Sequence, residues 1–187
     1  RGVVIDKNGN VFVSIFTNNT ISKITPAGSV TNLFARAQAY GIAIDKAGDL
    51  FTTDYVGGAL RKITALGVVT WHQFNLGYPY AIAVDDSGIL YVTINRLNNS
   101  SIIKINHSGD TTQIAKGIEN PYSMAIDKNK NLFVADMVGG TLTKVYPDGK
   151  KTEIARGFSY PTGLAVAPDG IIYVVNSTGS VSKVTLQ

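Results

Sequence analysis

The sequence predicts an all-β chain folded as a β-propeller of four-stranded antiparallel blades, and three observations carry that expectation. A pentad recurs along the chain: Gly2 to Asp6, Gly41 to Asp45, Ala81 to Asp85, Ser123 to Asp127, and Gly163 to Ala167, where alanine takes the acid's place. Successive pentad ends lie 39, 40, 42 and 40 residues apart, which marks one supersecondary unit copied in tandem. Each copy holds four short β-branched or aromatic runs between turn signals, and no useful stretch has a helical apolar period.

The elements follow in the same order in each copy. The pentad is the first strand, and a turn such as Lys7-Asn8-Gly9-Asn10 or Asp86-Ser87-Gly88 closes it; Asn, Asp and Gly tolerate the backbone of tight hairpins. The second strand is Val11-Phe12-Val13 and its counterparts at Leu50, Leu90, Leu132 and Ile172. The third carries Ile21-Ser22-Lys23-Ile24, Leu60-Arg61-Lys62-Ile63, Ile102-Ile103-Lys104-Ile105, Leu142-Thr143-Lys144-Val145 and Val181-Ser182-Lys183-Val184. A Gly-containing turn then leads to a fourth run, as in Val30 to Phe34 and Thr152 to Ala155. First strands such as Gly41-Ile42-Ala43-Ile44 are apolar on both sides of the pleat, so both faces need cover; blades stacked around an axis supply it. Ala43, Ala83, Ala125 and Ala165 suit the crowded centre. The copies span about 1–40, 41–80, 81–122, 123–162 and 163–187 of a single domain.

The run Gly-Ile-Ala-Ile-Asp, then Asn131 to Asp136, Leu142-Thr143-Lys144-Val145 and Pro147-Asp148-Gly149 resembles the NHL repeat, and the resemblance extends over all five copies. It implies a propeller of NHL type, related in shape to gluconolactonase-like and virginiamycin B lyase-like propellers, of which six-bladed forms are the reference. It implies no single activity, because such folds host adaptors, nucleic-acid binders, sensors and enzymes. The fifth copy stops after its third strand, so the sequence is read as a window from a longer chain whose propeller has six or more blades. A closed ring of five with one thin blade is the alternative.

Composition sets bounds. The 187 residues, 44% of them hydrophobic, suffice for a folded core. No apolar run reaches the roughly 18 residues of a membrane-spanning helix. Zero cysteines exclude disulfides, thiolate metal sites and cysteine nucleophiles, and together with the fold lean towards an extracytoplasmic protein, secreted, periplasmic or on the cell surface. Seventeen Lys and Arg against 13 Asp and Glu give a net charge of +4, too mild to mark a nucleic-acid binder without clustering. Five of those cations, Lys23, Lys62, Lys104, Lys144 and Lys183, hold one third-strand position; they are expected to lay their stems on apolar neighbours and reach Asp6, Asp45, Asp85 and Asp127.

Ligands of a propeller are expected on the rim formed by the inter-blade connections and the loops between second and third strands. Tyr40, Tyr80 and Tyr122 each precede the Asp of their pentad by five residues, with Thr162 fourth in register. Arg36, Lys116 and Arg156 begin three of the connections, and Arg96 lies on the longest of the other loops. Tyrosines interleaved with cations can stack a sugar or base and grip an anion. The plainer reading has each tyrosine packing on Pro79, Pro121 or Pro161 and fixing the crossover.

At the ends of the second strands Asp54, Asp136 and Asn176 align. The gluconolactonase resemblance implies a divalent cation such as calcium held by residues of this kind; turn capping ahead of Gly57-Gly58 and Gly139-Gly140 is the competing role. No inward Glu is expected, with Glu119 in a connection and Glu153 on an outer strand. His72 falls on an outer strand and His107 in a turn, away from the channel, which speaks against the lyase chemistry of the virginiamycin B lyase-like enzymes.

The favoured expectation is therefore a non-catalytic recognition scaffold without a cofactor, its rim binding a protein, glycan or polymer. The alternative is a metal-dependent lactonase or hydrolase, or a virginiamycin B lyase-like enzyme; an RNA-binding NHL domain ranks third.

Overall fold

The structure, a computed structural model, describes residues 2–15, 17–34, 39–64, 66–73, 75–96 and 99–186, with the side chains of Phe34, Trp71 and His72 outside that description. Nineteen strands form five antiparallel sheets, and no helix occurs among the described residues. The first sheet comprises β1 (Val3–Ile5), β2 (Val11–Ile15), β3 (Thr20–Ile24) and β4 (Val30–Phe34). The second comprises β5 (Ala39–Ile44), β6 (Leu50–Asp54), β7 (Ala59–Ile63) and β8 (Val69–Gln73). The third is β9 (Pro79–Val84), β10 (Leu90–Ile94), β11 (Ser101–Ile105) and β12 (Thr111–Lys116). The fourth is β13 (Pro121–Ile126), β14 (Leu132–Asp136), β15 (Thr141–Val145) and β16 (Lys151–Arg156). The fifth has three strands, β17 (Pro161–Val166), β18 (Ile172–Asn176) and β19 (Val181–Val184). Each sheet is a simple up-and-down meander, so each is a propeller blade.

The core lies between blades. Phe12, Ile21 and Leu33 of blade 1 meet Ile42, Leu50 and Ile63 of blade 2. Phe51 and Leu60 of blade 2 then meet Ile82, Leu90 and Ile105 of blade 3. Tyr91 and Ile102 pack on Met124, Leu132 and Val145, and Phe133 and Leu142 pack on Ile172 and Val174. The second strand shows the logic: its leucine faces the preceding blade and the aromatic residue after it faces the next. Each such side chain, fully buried, stabilises by about 1.5–3 kcal/mol. Where no described blade stands alongside, the same positions are exposed: Val3 and Ile5 of β1 are 62% and 63% accessible and Tyr173 of β18 is 40%.

The inner strands β1, β5, β9, β13 and β17 adjoin one another in that order around the axis. They pack so closely that a Cβ on Gly41 would stand 2.6 Å from the Tyr80 carbonyl oxygen, and one on Gly2 would stand 2.8 Å from Cγ2 of Ile42. Glycine at the head of the pentad is therefore a matter of clearance between blades, more than of backbone freedom.

The aligned lysines have a second partner that register reveals. Phe12 pairs with Lys23, Phe51 with Lys62, Tyr91 with Lys104, Phe133 with Lys144 and Tyr173 with Lys183 across the central strands of every blade. The ammonium groups of Lys23, Lys62 and Lys144 sit 5.8, 5.6 and 5.9 Å from those ring centroids, within cation–π range. The expected link to the pentad carboxylates is mostly replaced. Lys62 bonds Asp49 at 2.7 Å, and Asp6, Asp45, Asp85 and Asp127 instead accept N–H groups of the hairpin turns that follow them. The turn is nearer in sequence and presents oriented amides, so it takes the carboxylate first.

Candidate functional site

Four of the first strands carry an irregularity at the same place. In blade 2, Ala39 pairs with Asp54 and Ile42 with Thr52, so Tyr40 and Gly41 together oppose Thr53. In blade 3, Tyr80 and Ala81 oppose Thr93 in the same way, and in blades 4 and 5 Tyr122 and Thr162 are the extra residues. A bulge re-aims a side chain. Here it turns Tyr40, Tyr80, Tyr122 and Thr162 towards a single central cavity of about 350 Å³, walled further down by Val4, Ile42, Ile82 and Met124.

The bulges of blades 2 and 3 are held by hydroxyls. The Gly41 N–H donates to Oγ1 of the fully buried Thr53 at 2.8 Å, and that hydroxyl donates on to the Tyr80 carbonyl in the next blade at 2.6 Å. Ser14 does the same in blade 1, accepting the Gly2 N–H at 2.8 Å and reaching the Tyr40 carbonyl at 3.4 Å. In blade 3 the Ala81 N–H donates to Thr93. Ala135 and Val175 fill this position in blades 4 and 5.

The tyrosines touch. Tyr40 and Tyr80 meet edge to face with centroids 4.6 Å apart, and Tyr80 and Tyr122 are also 4.6 Å apart. Sequence reasoning missed two more members. Tyr55, from the loop after β6, lies 5.0 Å from Tyr40 and 5.2 Å from Tyr80, and Tyr78, from the crossover into β9, lies 5.2 Å from Tyr55. Tyr55 has no counterpart in the other copies and Tyr78 has one, Tyr160, so the recurrence that exposed the others is silent on the first and weak on the second. The five rings form one aromatic cluster at the channel mouth. Among the described residues lining the central cavity there is no carboxylate, imidazole, ammonium or guanidinium.

The predicted cations divide. Arg96 borders a hollow beside the cluster, lined also by Tyr55, Tyr78, Asn95, Glu119 and Asn120. Arg156, exposed on the outermost strand of blade 4, pairs with Glu153 through Nη2 at 2.6 Å. Lys116 ends β12, where its carbonyl accepts from Lys151 Nζ at 2.7 Å. Neither Lys116 nor Arg156 lines the cavity or the hollow, and Arg36 lies outside the described residues.

Asp54, Asp136 and Asn176 are each engaged within or beside their own blade. Asp54 accepts the Gly57 N–H at 2.8 Å and pairs with Arg61 at 3.0 Å. Asp136 accepts the N–H groups of Val138, Gly139 and Glu119. Asn176 accepts from the Ser159 N–H and donates to Ser180 and Ser182. These are turn-capping and crossover-fixing contacts. Among the described residues no three His, Asp or Glu side chains gather closely enough to share a metal ion.

Charge concentrates at the opposite end, where the pentads close. Asp85, with its side chain 3% accessible, bonds Lys130 of blade 4 at 2.9 Å, and the neighbouring Asp86 bonds Lys46 of blade 2 at 3.0 Å. Burial alone pushes the Asp85 carboxyl up, but donors from Ser87, Lys130 and the Ile89 amide together outweigh it and bring the pKa down to about 2. His107 packs at this end too, with Nε2 3.1 Å from where a Cβ on Gly88 would stand.

No family model and no curated protein matches the chain. Solved structures do. The chain is similar to a propeller in a nidogen/laminin complex (TM-score 0.86, 20% identity, 97% of this chain and 74% of that one). It is also similar to a gluconolactonase from Xanthomonas campestris (TM-score 0.82, 17% identity, 98% and 71%). A catalytically inactive virginiamycin B lyase from Staphylococcus aureus with quinupristin gives a TM-score of 0.74 at 20% identity, over 97% and 68%. Such distant identities establish the propeller fold.

Proposed function

We propose that this propeller is a recognition module whose ligand, a protein, glycan or polymer, seats on the tyrosine-lined mouth of its channel. One observation carries the reading: Tyr40, Tyr80 and Tyr122 line a cavity whose described lining holds no other titratable group, and Tyr55 and Tyr78 extend their ring cluster beside it. Aromatic rings offer large contact area at small entropic cost and are the usual anchors of binding surfaces, whereas general acid–base chemistry is most often carried by an imidazole or a carboxylate, and tyrosine is the one titratable side chain in the described lining. The similar propellers include a nidogen in complex with laminin as well as a lyase and a gluconolactonase, so the fold accommodates both outcomes, and the aromatic lining of this site supports recognition. Asp54, Asp136 and Asn176 already accept the N–H groups of Gly57, Gly139 and Ser159, which supports a turn-capping and crossover-fixing role for them. An extracytoplasmic setting goes with this reading on composition, through the absence of cysteine.

The test is a screen of the protein against arrayed glycans, peptides and single-stranded RNA, repeated with Tyr80→Ala and Tyr122→Ala. A true ligand should lose about tenfold in affinity with either variant, and a ligand bound equally well by both refutes the mouth as the site. Lactone or streptogramin turnover abolished by Asp136→Ala would replace the reading with the enzymatic one. RNA binding that falls steeply with salt would favour the third.

A further inference from the structure

The hollow beside the tyrosine cluster has a chemistry of its own. About 520 Å³ in volume, it is lined by Tyr55 and Tyr78 together with Asn95, Arg96, Glu119 and Asn120. Tyr78 is 51% accessible, so part of its ring is presented to solvent while its neighbour Tyr55 braces it at 5.2 Å. The guanidinium of Arg96 lies against Gly77; a Cβ there would stand 2.7 Å from Nη2 and 2.8 Å from Nε, so only glycine at 77 leaves the arginine its place.

The polar side is tied down before any ligand arrives. The Arg96 N–H donates to Ser100 Oγ at 3.1 Å and the Asn99 N–H donates to the Arg96 carbonyl at 3.0 Å. Asn95 Nδ2 donates to Asn120 Oδ1 at 3.2 Å, and the Asn95 N–H donates to the Tyr78 carbonyl at 2.9 Å. Ser100 Oγ lies 2.9 Å from the Glu119 carbonyl. Within the described residues Arg96 and Glu119, both exposed, form no ion pair with each other.

We propose that this hollow is a saccharide subsite, in which a pyranose stacks its C–H face on Tyr78 while Arg96, Glu119 and Asn120 engage its hydroxyls. A sugar ring is apolar on its faces and carries donors and acceptors around its edge. An accessible tyrosine sharing one hollow with a fork of donors, a carboxylate acceptor and an amide offers both features. A nucleic acid would want the positive charge undiluted, and here Glu119 stands beside Arg96. A protein anchor would want a wider apolar floor than one half-exposed ring. The inference rests on the rim being a binding face and adds the class of ligand and a place for it.

Cellotriose, chitotriose, maltotriose and trigalacturonic acid, each titrated to about 10 mM by saturation-transfer NMR and calorimetry, serve as probes. The expected result is that at least one binds, and that Tyr78→Ala and Arg96→Ala each weaken it about tenfold. Gly77→Ala, which displaces the guanidinium, should weaken it similarly. Circular dichroism on each variant checks that the fold is kept. If none of the four binds the wild type, the saccharide assignment is overturned, while the mouth keeps its own test with Tyr80→Ala and Tyr122→Ala. If one binds but is insensitive to Tyr78→Ala and Arg96→Ala, the hollow is the wrong place.

Discussion

Thr53 and Tyr80 belong to different blades, yet one hydroxyl joins them: Oγ1 of Thr53 accepts the Gly41 N–H of its own blade and donates to the Tyr80 carbonyl of the next. The bond does two jobs. It satisfies the amide that the bulge takes out of the ladder, and it fixes the backbone of a tyrosine at the channel mouth.

Replacing Thr53 by Val keeps the shape and removes the hydroxyl, leaving a buried N–H and a buried carbonyl short of a partner. The expected cost is about 2 kcal/mol, read as a lower urea midpoint at unchanged slope. Thr53→Ser should recover most of it. Equal stability of the Val and Ser variants would show that the hydroxyl is dispensable.

Gly41→Ala tests clearance between inner strands. The new methyl would meet the Tyr80 carbonyl at 2.6 Å and Ile82 at 3.1 Å, so blades 2 and 3 must part. Overpacking of this kind costs about 1–3 kcal/mol. The position makes a sharp comparison with Gly163, whose Cβ would meet only Val175 side-chain atoms, at 3.3 Å, and should tolerate Ala better.

The pair Asp85 and Lys130 sets an acid limit. The carboxyl is depressed from the ordinary value of 3.8 to about 2 in the folded chain. A depressed acid stabilises the fold above its unfolded pKa, and that stabilisation is lost as pH falls through the folded one. About 2 kcal/mol should thus be present at pH 5 and drain away between roughly pH 4 and pH 2. Chemical unfolding across that range should show the slope, and Asp85→Asn should flatten it. An unchanged profile in the Asn variant would assign the acid sensitivity elsewhere.

Lys144 lies 5.9 Å from the Phe133 centroid and 4.7 Å from that of Tyr146. Lys144→Gln keeps the stem and discards the charge, and should cost about 0.5–1 kcal/mol. The loss should shrink in the Phe133→Leu background, which a double-mutant cycle by urea unfolding would report.

How much of this could be read from the residues alone depends on whether a feature repeats. Strand order, blade limits and the inward tyrosines at 40, 80 and 122 recur at fixed offsets, and the structure brings those three rings together. Tyr55 occurs once, and Tyr78 recurs only as Tyr160 of the fifth copy, each in a connection, so the repeat marks neither as it marks the other three. The lysine row was legible as a row, but its partners were not. A pentad carboxylate two to four residues from oriented turn amides is captured locally, and only the strand register discloses the ring opposite each lysine. Lys116 and Arg156 were grouped with the tyrosines because they begin connections, yet each sits at the end of an outermost strand, far along the blade from its inner edge.

The bulge separates two tasks that ordinary strand residues must share. For Tyr40 and Tyr80 the backbone is anchored from behind, by a hydroxyl of the preceding blade, while the side chain faces the cavity and packs on its neighbouring rings. Thr162 already occupies this place in blade 5 where tyrosine stands in three others. The mouth is thus a set of side chains carried on the bulges of successive blades: its chemistry can be rewritten one blade at a time without re-engineering the sheets beneath.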